Sequence, residues 1–144
     1  MVVRSRRGFT LIELLVVIAL IGVAMVAMSI GISQGLQAAR ERQTLRDMVY
    51  ALRQTRTHAV LSQAPAVLRF DMRQRWFQAP DQPRRFWPAS MAVDLTTAAQ
   101  AGSGLAFYPD GSSSGGHLSV ARGGQRWRID VGWLTGNVRW QITP

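Results

Sequence analysis

The 144-residue chain has no cysteine and no lysine. Without cysteine there can be no disulfide framework and no thiolate metal site. That absence leaves the compartment open, because a domain outside the cytoplasm can fold without disulfides. Histidine occurs only at His58 and His117, without the spacing of a ligand set, so neither a metal centre nor a cofactor is expected. Acids are scarce too, with 8 against 17 arginines and a formal charge of +9. Such a surplus suits a nucleic acid, an anionic membrane surface or an acidic partner, without choosing among them. The exclusive use of arginine is also what a GC-rich genome would produce. Charge of either sign is missing from Leu14 to Ala39. Mean hydropathy is only +0.02 although 47% of residues are hydrophobic, so the apolar character is concentrated at the start of the chain.

What stands at that start is a basic stretch (Arg4, Arg6, Arg7) followed by the long apolar run. The order is that of a secretory signal, but no small-residue cleavage site follows the run. Glu13 also lies inside the apolar stretch. An acid within a membrane helix costs about 2.5–3.5 kcal/mol on insertion scales and normally marks function. The segment from Leu14 to Ser33 is long enough to span, since about 20 residues cover the hydrocarbon core. The arginines ahead of it place the N-terminus on the cytoplasmic side.

Arg7-Gly8-Phe9-Thr10-Leu11-Ile12-Glu13 resembles the prepilin cleavage motif of type IV pilins and type II secretion pseudopilins. The resemblance implies that a prepilin peptidase cuts between Gly8 and Phe9 and that the new terminal Phe9 is N-methylated. It also implies that Glu13 serves assembly. The physics is consistent with this: glycine lets an enzyme approach the backbone closely, and a cut on the cytoplasmic side leaves the apolar helix as an anchor. A carboxylate in lipid needs a partner, and the amine of Phe9 on an incoming subunit would supply one. Cutting there would leave 14 arginines against the 8 acids.

The expected organisation is a leader over 1–8, a transmembrane half-helix over 9–33, an amphipathic half-helix over 34–64 and a β domain over 65–144. Leu45, Met48, Val49 and Leu52 follow helical spacing, with Val60 further along a similar face. Glu41 and Asp47, lying among arginines, suit modest i, i+4 pairs, and Pro65 should end the helix. Beyond it the period becomes two. Leu68, Phe70 and Met72 alternate with Arg69, Asp71 and Arg73, and Trp76-Phe77 suits a short second strand. Residues 79–104 hold Pro80, Pro83 and Pro88 without sustained period and read as a long loop. The final third reads as an antiparallel meander. Leu118 and Val120 lead into a Gly123-Gly124 hairpin, Trp127, Ile129 and Val131 face inward, and after Thr135-Gly136-Asn137 so do Val138, Trp140 and Ile142.

Arg56-Thr57-His58-Ala59-Val60, Phe107-Tyr108-Pro109-Asp110-Gly111-Ser112 and Trp133-Leu134-Thr135-Gly136-Asn137-Val138 are similar to segments of the GspH/FimT family of minor pilins. The resemblance implies an α+β, type IV pilin-like fold, with a long N-terminal helix packed on an antiparallel sheet. It further implies a structural subunit near the tip of a short filament, with other minor and major pseudopilins as partners. The Phe107–Gly116 run and Val131-Gly132-Trp133-Leu134 favour the type II secretion branch, which supports protein export across the outer membrane from the inner membrane. The alternative is the T-type branch, some members of which bind DNA in natural transformation. For that alternative the candidate contacts are Arg126, Arg128 and Arg139, which should project from one side of adjacent strands, with Arg122 at the nearby turn; such arginines bind phosphate through forked hydrogen bonds. The bland reading of this face is a solvated surface or one that meets an acidic subunit. Gly111-Ser112-Ser113-Ser114-Gly115 matches the letters of a hydrolase nucleophile elbow, but that motif needs a strand before it and a helix after it. A turn is expected instead, and no catalytic residue is assigned.

Overall fold

The computed structural model describes residues 9–97 and 102–143. The chain divides at Arg40 into two compact units, and helix α1 (Leu11–Ser62) belongs to both. Its start is capped by Thr10, whose hydroxyl and carbonyl accept from the Glu13 N–H at 3.4 and 3.1 Å. Glu13 puts an acid in the first turn, where the helix dipole favours negative charge. In the first unit, Leu11–Met28 has a mean hydropathy of 2.8 and beyond Glu13 is apolar all round, with none of it buried. A helix apolar all round belongs in a core or in lipid, and this segment is long and apolar enough to cross a membrane.

In the second unit the helix becomes one-sided. Thr44, Met48, Ala51, Leu52, Thr55 and Ala59 are buried at three- and four-residue spacing. Leu45 and Val49, expected on that face with Met48 and Leu52, lie at its margin, partly buried. Thr55 satisfies its buried hydroxyl by donating to the Ala51 carbonyl at 2.7 Å. The helix ends where Gln63 turns left-handed, at a φ of 52°, two residues before Pro65.

Eight strands follow: β1 (Ala66–Asp71), β2 (Trp76–Gln78), β3 (Arg85–Phe86), β4 (Ala92–Thr97), β5 (Gly104–Phe107), β6 (Gly116–Arg122), β7 (Gln125–Val131) and β8 (Val138–Thr143). They form two four-stranded sheets, ordered β3-β2-β1-β5 and β4-β6-β7-β8, and every pairing is antiparallel. In the first sheet Phe70 pairs with Phe77 and Leu68 with Leu105. In the second, Leu118 faces Ile129 and Val120 faces Trp127. All of these side chains are buried with Met48 and Leu52 in one core, as alternation on a sheet covered on one side requires. At Gly116 (φ 137°) β4 leaves no room for a side chain: a Cβ there would lie 2.4 Å from the Thr96 carbonyl oxygen.

Two expectations need correction. Residues 79–104 are not a long loop, for they contain β3 and β4, and β4 pairs with β6 over its whole length. Pro80, Pro83 and Pro88 lie between strands rather than in them, and the alternation of Val93 and Leu95 with Asp94 and Thr96 in β4 starts only after the last of them. Trp87 and Met91 from the same stretch are buried, Trp87 stacked at 6.5 Å on Phe77. On β8, Val138 is buried, but Trp140 and Ile142 remain 57% and 69% exposed. They share the inner face with Ile129 and Trp127, yet β8 is the edge strand and nothing covers that part of it among the described residues.

Leu52 is fully buried at the centre of this core. Leu52→Ala is expected to lower the unfolding free energy by about 3 kcal/mol, the middle of the range for a leucine truncated in a packed interior. Urea titration followed by tryptophan fluorescence measures it, and a loss below about 1 kcal/mol would contradict this packing.

Candidate functional site

The N-terminal motif is built around the capped start of α1. Phe9 precedes the helix and is 74% exposed, and Glu13 stands one turn in, also exposed. Gly8 lies outside the described residues. Thr10 escaped the sequence reading, although Thr10-Leu11-Ile12-Glu13 has the S/T-x-x-E letters of a helix capping box. The cap fixes the helix start beside the expected cleavage bond and holds Glu13 at a set height on the helix.

On the second sheet the register brings Arg126, Arg128 and Arg139 to the outer face, as expected. Arg139 stands opposite Asp130, and Arg128 opposite Gln141 and Ser119. The face is mixed rather than basic throughout. Arg128 Nε donates to Asp130 Oδ1 at 2.8 Å, and Asp94 lies beside Ser119 on the next strand. Arg126 and Arg139 are exposed. Arg122 is not on this face. It follows Ala121, which pairs with Arg126, so the alternation turns Arg122 inward, where its Nε forms an ion pair with Glu41 Oε2.

Glu41, expected as a surface charge, is 2% exposed. Its other oxygen accepts from the Ser90 hydroxyl. One carboxylate thereby joins α1, the end of β6 and the segment entering β4. A buried carboxylate is tolerated only with such partners. No local pattern in the sequence could have pointed to Arg122 or Ser90 as those partners.

The three segments that resemble the minor pilins meet in space. Arg56 Nε donates to the Gly111 carbonyl at 3.1 Å. Gly136 (φ 60°) lies against the same pair, so that a Cβ there would be 2.3 Å from the Gly111 oxygen and 2.9 Å from Arg56 Nε. Ser113 ties the turn to the neighbouring loop: its N–H donates to the Trp133 carbonyl at 2.8 Å and its hydroxyl to that of Gly132 at 3.0 Å. The Ser113 hydroxyl is therefore engaged and buried, and the run leads from β5 into β6 rather than into a helix. Asp110 accepts from the Ser112 hydroxyl at 2.6 Å and the Ser112 N–H at 2.9 Å. These bonds hold its carboxyl below the ordinary carboxylate value. His58 stands 3.9 Å from the Asp81 carboxylate, and His117 lies on the outer face between Thr96 and Asp130.

Residues 3–30 match the prokaryotic N-terminal methylation motif, and residues 44–135 match the family described as type II transport protein GspH. The chain belongs to the GspH family. It is 37% identical over 141 residues to the type II secretion system protein H of Xanthomonas campestris, covering 94% of this chain and 83% of that one. The fold is that of GspH-like subunits. The minor pseudopilin EpsH of the Vibrio cholerae type 2 secretion system superposes with a TM-score of 0.55 at 16% identity, over 72% of this chain and 97% of that one. The type IV minor pilin FimU of Pseudomonas aeruginosa superposes at 0.54 and 13% identity, over 74% and 90%.

The buried pair gives this GspH-family chain a testable weakness. Arg122→Met should cost about 3 kcal/mol, because the Glu41 charge then stays buried without its cation. Glu41→Leu combined with Arg122→Met should lose less than the two single changes added together, with a coupling of about 1–3 kcal/mol. Denaturation of the four proteins closes the cycle, and additive losses would show that the pair is not a coupled unit.

Proposed function

We infer that this chain is a minor pseudopilin, a structural subunit placed near the tip of a type II secretion pseudopilus that supports protein export across the outer membrane. One observation carries the reading: the methylation motif on a membrane-length helix and the GspH-type β unit occur together in one chain. The subunit acts by assembly rather than by catalysis. It sits in the inner membrane with a single pass. Arg4, Arg6 and Arg7 keep the N-terminus cytoplasmic, and residues from Glu41 onward form the periplasmic domain. Prepilin peptidase cuts between Gly8 and Phe9, Phe9 is methylated, and Glu13 meets the terminal amine of a neighbouring pseudopilin. The nucleic-acid reading is the weaker one, because Arg122 and Arg128 are paired with Glu41 and Asp130, leaving Arg126 and Arg139 for phosphate.

Two experiments test this reading. Gly8→Val should leave the chain uncut, because a branched side chain obstructs the approach of a peptidase to the backbone. Mass spectrometry of the membrane fraction should find methyl-Phe9 at the start of the unmutated protein, and any other mature N-terminus would end the proposal. Glu13→Leu should still be cut and retained in the membrane but should fail to co-purify with the other pseudopilins, because the charge that attracts and registers a neighbour is gone. Undiminished co-purification and secretion would show that the carboxylate is dispensable.

A further inference from the structure

β8 is a free edge of the second sheet, and its inner face does not close against the helix. Trp140 and Ile142 on β8, with Val49 and Tyr50 on α1, line an open groove of about 510 Å³ whose floor includes Trp127. Tyr50, Trp140 and Ile142 are each more than half exposed. The far rim is basic: Arg42, Arg46 and Arg53 project beside the apolar wall, and none of them has an ion-pair partner among the described residues. Natural edge strands are commonly blunted by proline, a bulge or an inward charge. From Val138 to Thr143 there is no proline, and the inward positions hold valine, tryptophan and isoleucine.

These features select one kind of occupant. The free backbone groups of β8 suit another strand. The inner wall asks that alternate residues of that strand be apolar, because its inward side chains would continue the row of Trp140 and Ile142 over Val49 and Tyr50. Exposed Arg126 and Arg139 on the outer face ask that the outward residues of that strand be carboxylates. A second copy of this chain fits poorly, since pairing β8 with β8 would bring two arginine rims together. We propose that the β8 edge receives an extended segment of another protein, alternating apolar and acidic residues, which adds a fifth strand to the second sheet and fills the groove. Such strand addition takes affinity from main-chain hydrogen bonds and specificity from alternate side chains. The proposal stands apart from the pseudopilus reading, because the Gly8 and Glu13 variants leave this face unchanged.

The test uses the full chain in nanodiscs of zwitterionic lipid, free of detergent that would enter an apolar groove. The probe is a capped nine-residue peptide alternating valine and glutamate, with a second peptide carrying lysine in place of glutamate as its counterpart. The glutamate peptide should bind at least about tenfold more tightly than the lysine peptide. Hydrogen exchange should slow at those β8 amides that do not bond to β7. Replacing Arg126 and Arg139 with glutamine should weaken binding by about threefold or more, and Trp140→Ser, at an exposed position, should weaken it without unfolding the domain. Equal binding of the two peptides, no binding at the solubility limit, or protection confined to other segments would each overturn the proposal. So would self-association that protects β8 without peptide, for then a second copy is the occupant.

Discussion

A carboxylate taken almost entirely out of water at Glu41 ties three separate parts of the chain together. α1 carries it, Arg122 comes from the end of β6, and Ser90 comes from the approach to β4. Hydrophobic contacts tolerate small slips of register. A buried charge does not, because a partner displaced by an ångström or two leaves it without compensation. The pair therefore fixes where the second sheet lies along the helix, and hence which helix residues stand beside β8 and which carbonyls meet Arg56.

The same economy explains why the arginines do different work despite their identical chemistry. Arg122 is consumed by Glu41, Arg128 by Asp130, Arg85 by Asp47 and Arg56 by the Gly111 carbonyl, and Arg84 lies over the Trp76 ring at 4.4 Å. Three of the 8 acids, Glu41, Asp47 and Asp130, take arginine partners. Of the other arginines, Arg42, Arg46 and Arg53 stand on α1 beside the groove, Arg126 and Arg139 on the outer face of the second sheet, and Arg69, Arg73 and Arg75 on β1 and the turn that follows it. The net charge of the whole chain could not disclose that division.

Much of the fold was legible because it rests on local periodicity. The helix, β1 and the β6–β7–β8 meander follow from spacing and turn residues, and the N-terminal motif is readable because its chemistry lies in consecutive positions. The parts that were not legible depend on partners distant in sequence. Glu41 looked like half of an i, i+4 pair, and only the folded chain brings Arg122 to it. β4 was hidden because three prolines nearby suggested an irregular segment, although they fall between strands. Trp140 and Ile142 carry the inward pattern of their strand faithfully. What the pattern could not tell is that β8 is the edge of its sheet, where none of the described residues covers them.

An open strand edge is also a hazard for the chain that carries it. Apolar edges recruit one another, and the usual outcome is aggregation. The rim arginines Arg42, Arg46 and Arg53 would oppose such association between copies through like-charge repulsion. That protection is electrostatic and so depends on the medium. With a screening length of about 8 Å at physiological ionic strength and about 3 Å in molar salt, the domain would stay dispersed in dilute buffer and become adhesive in concentrated salt, the reverse of ordinary salting-in.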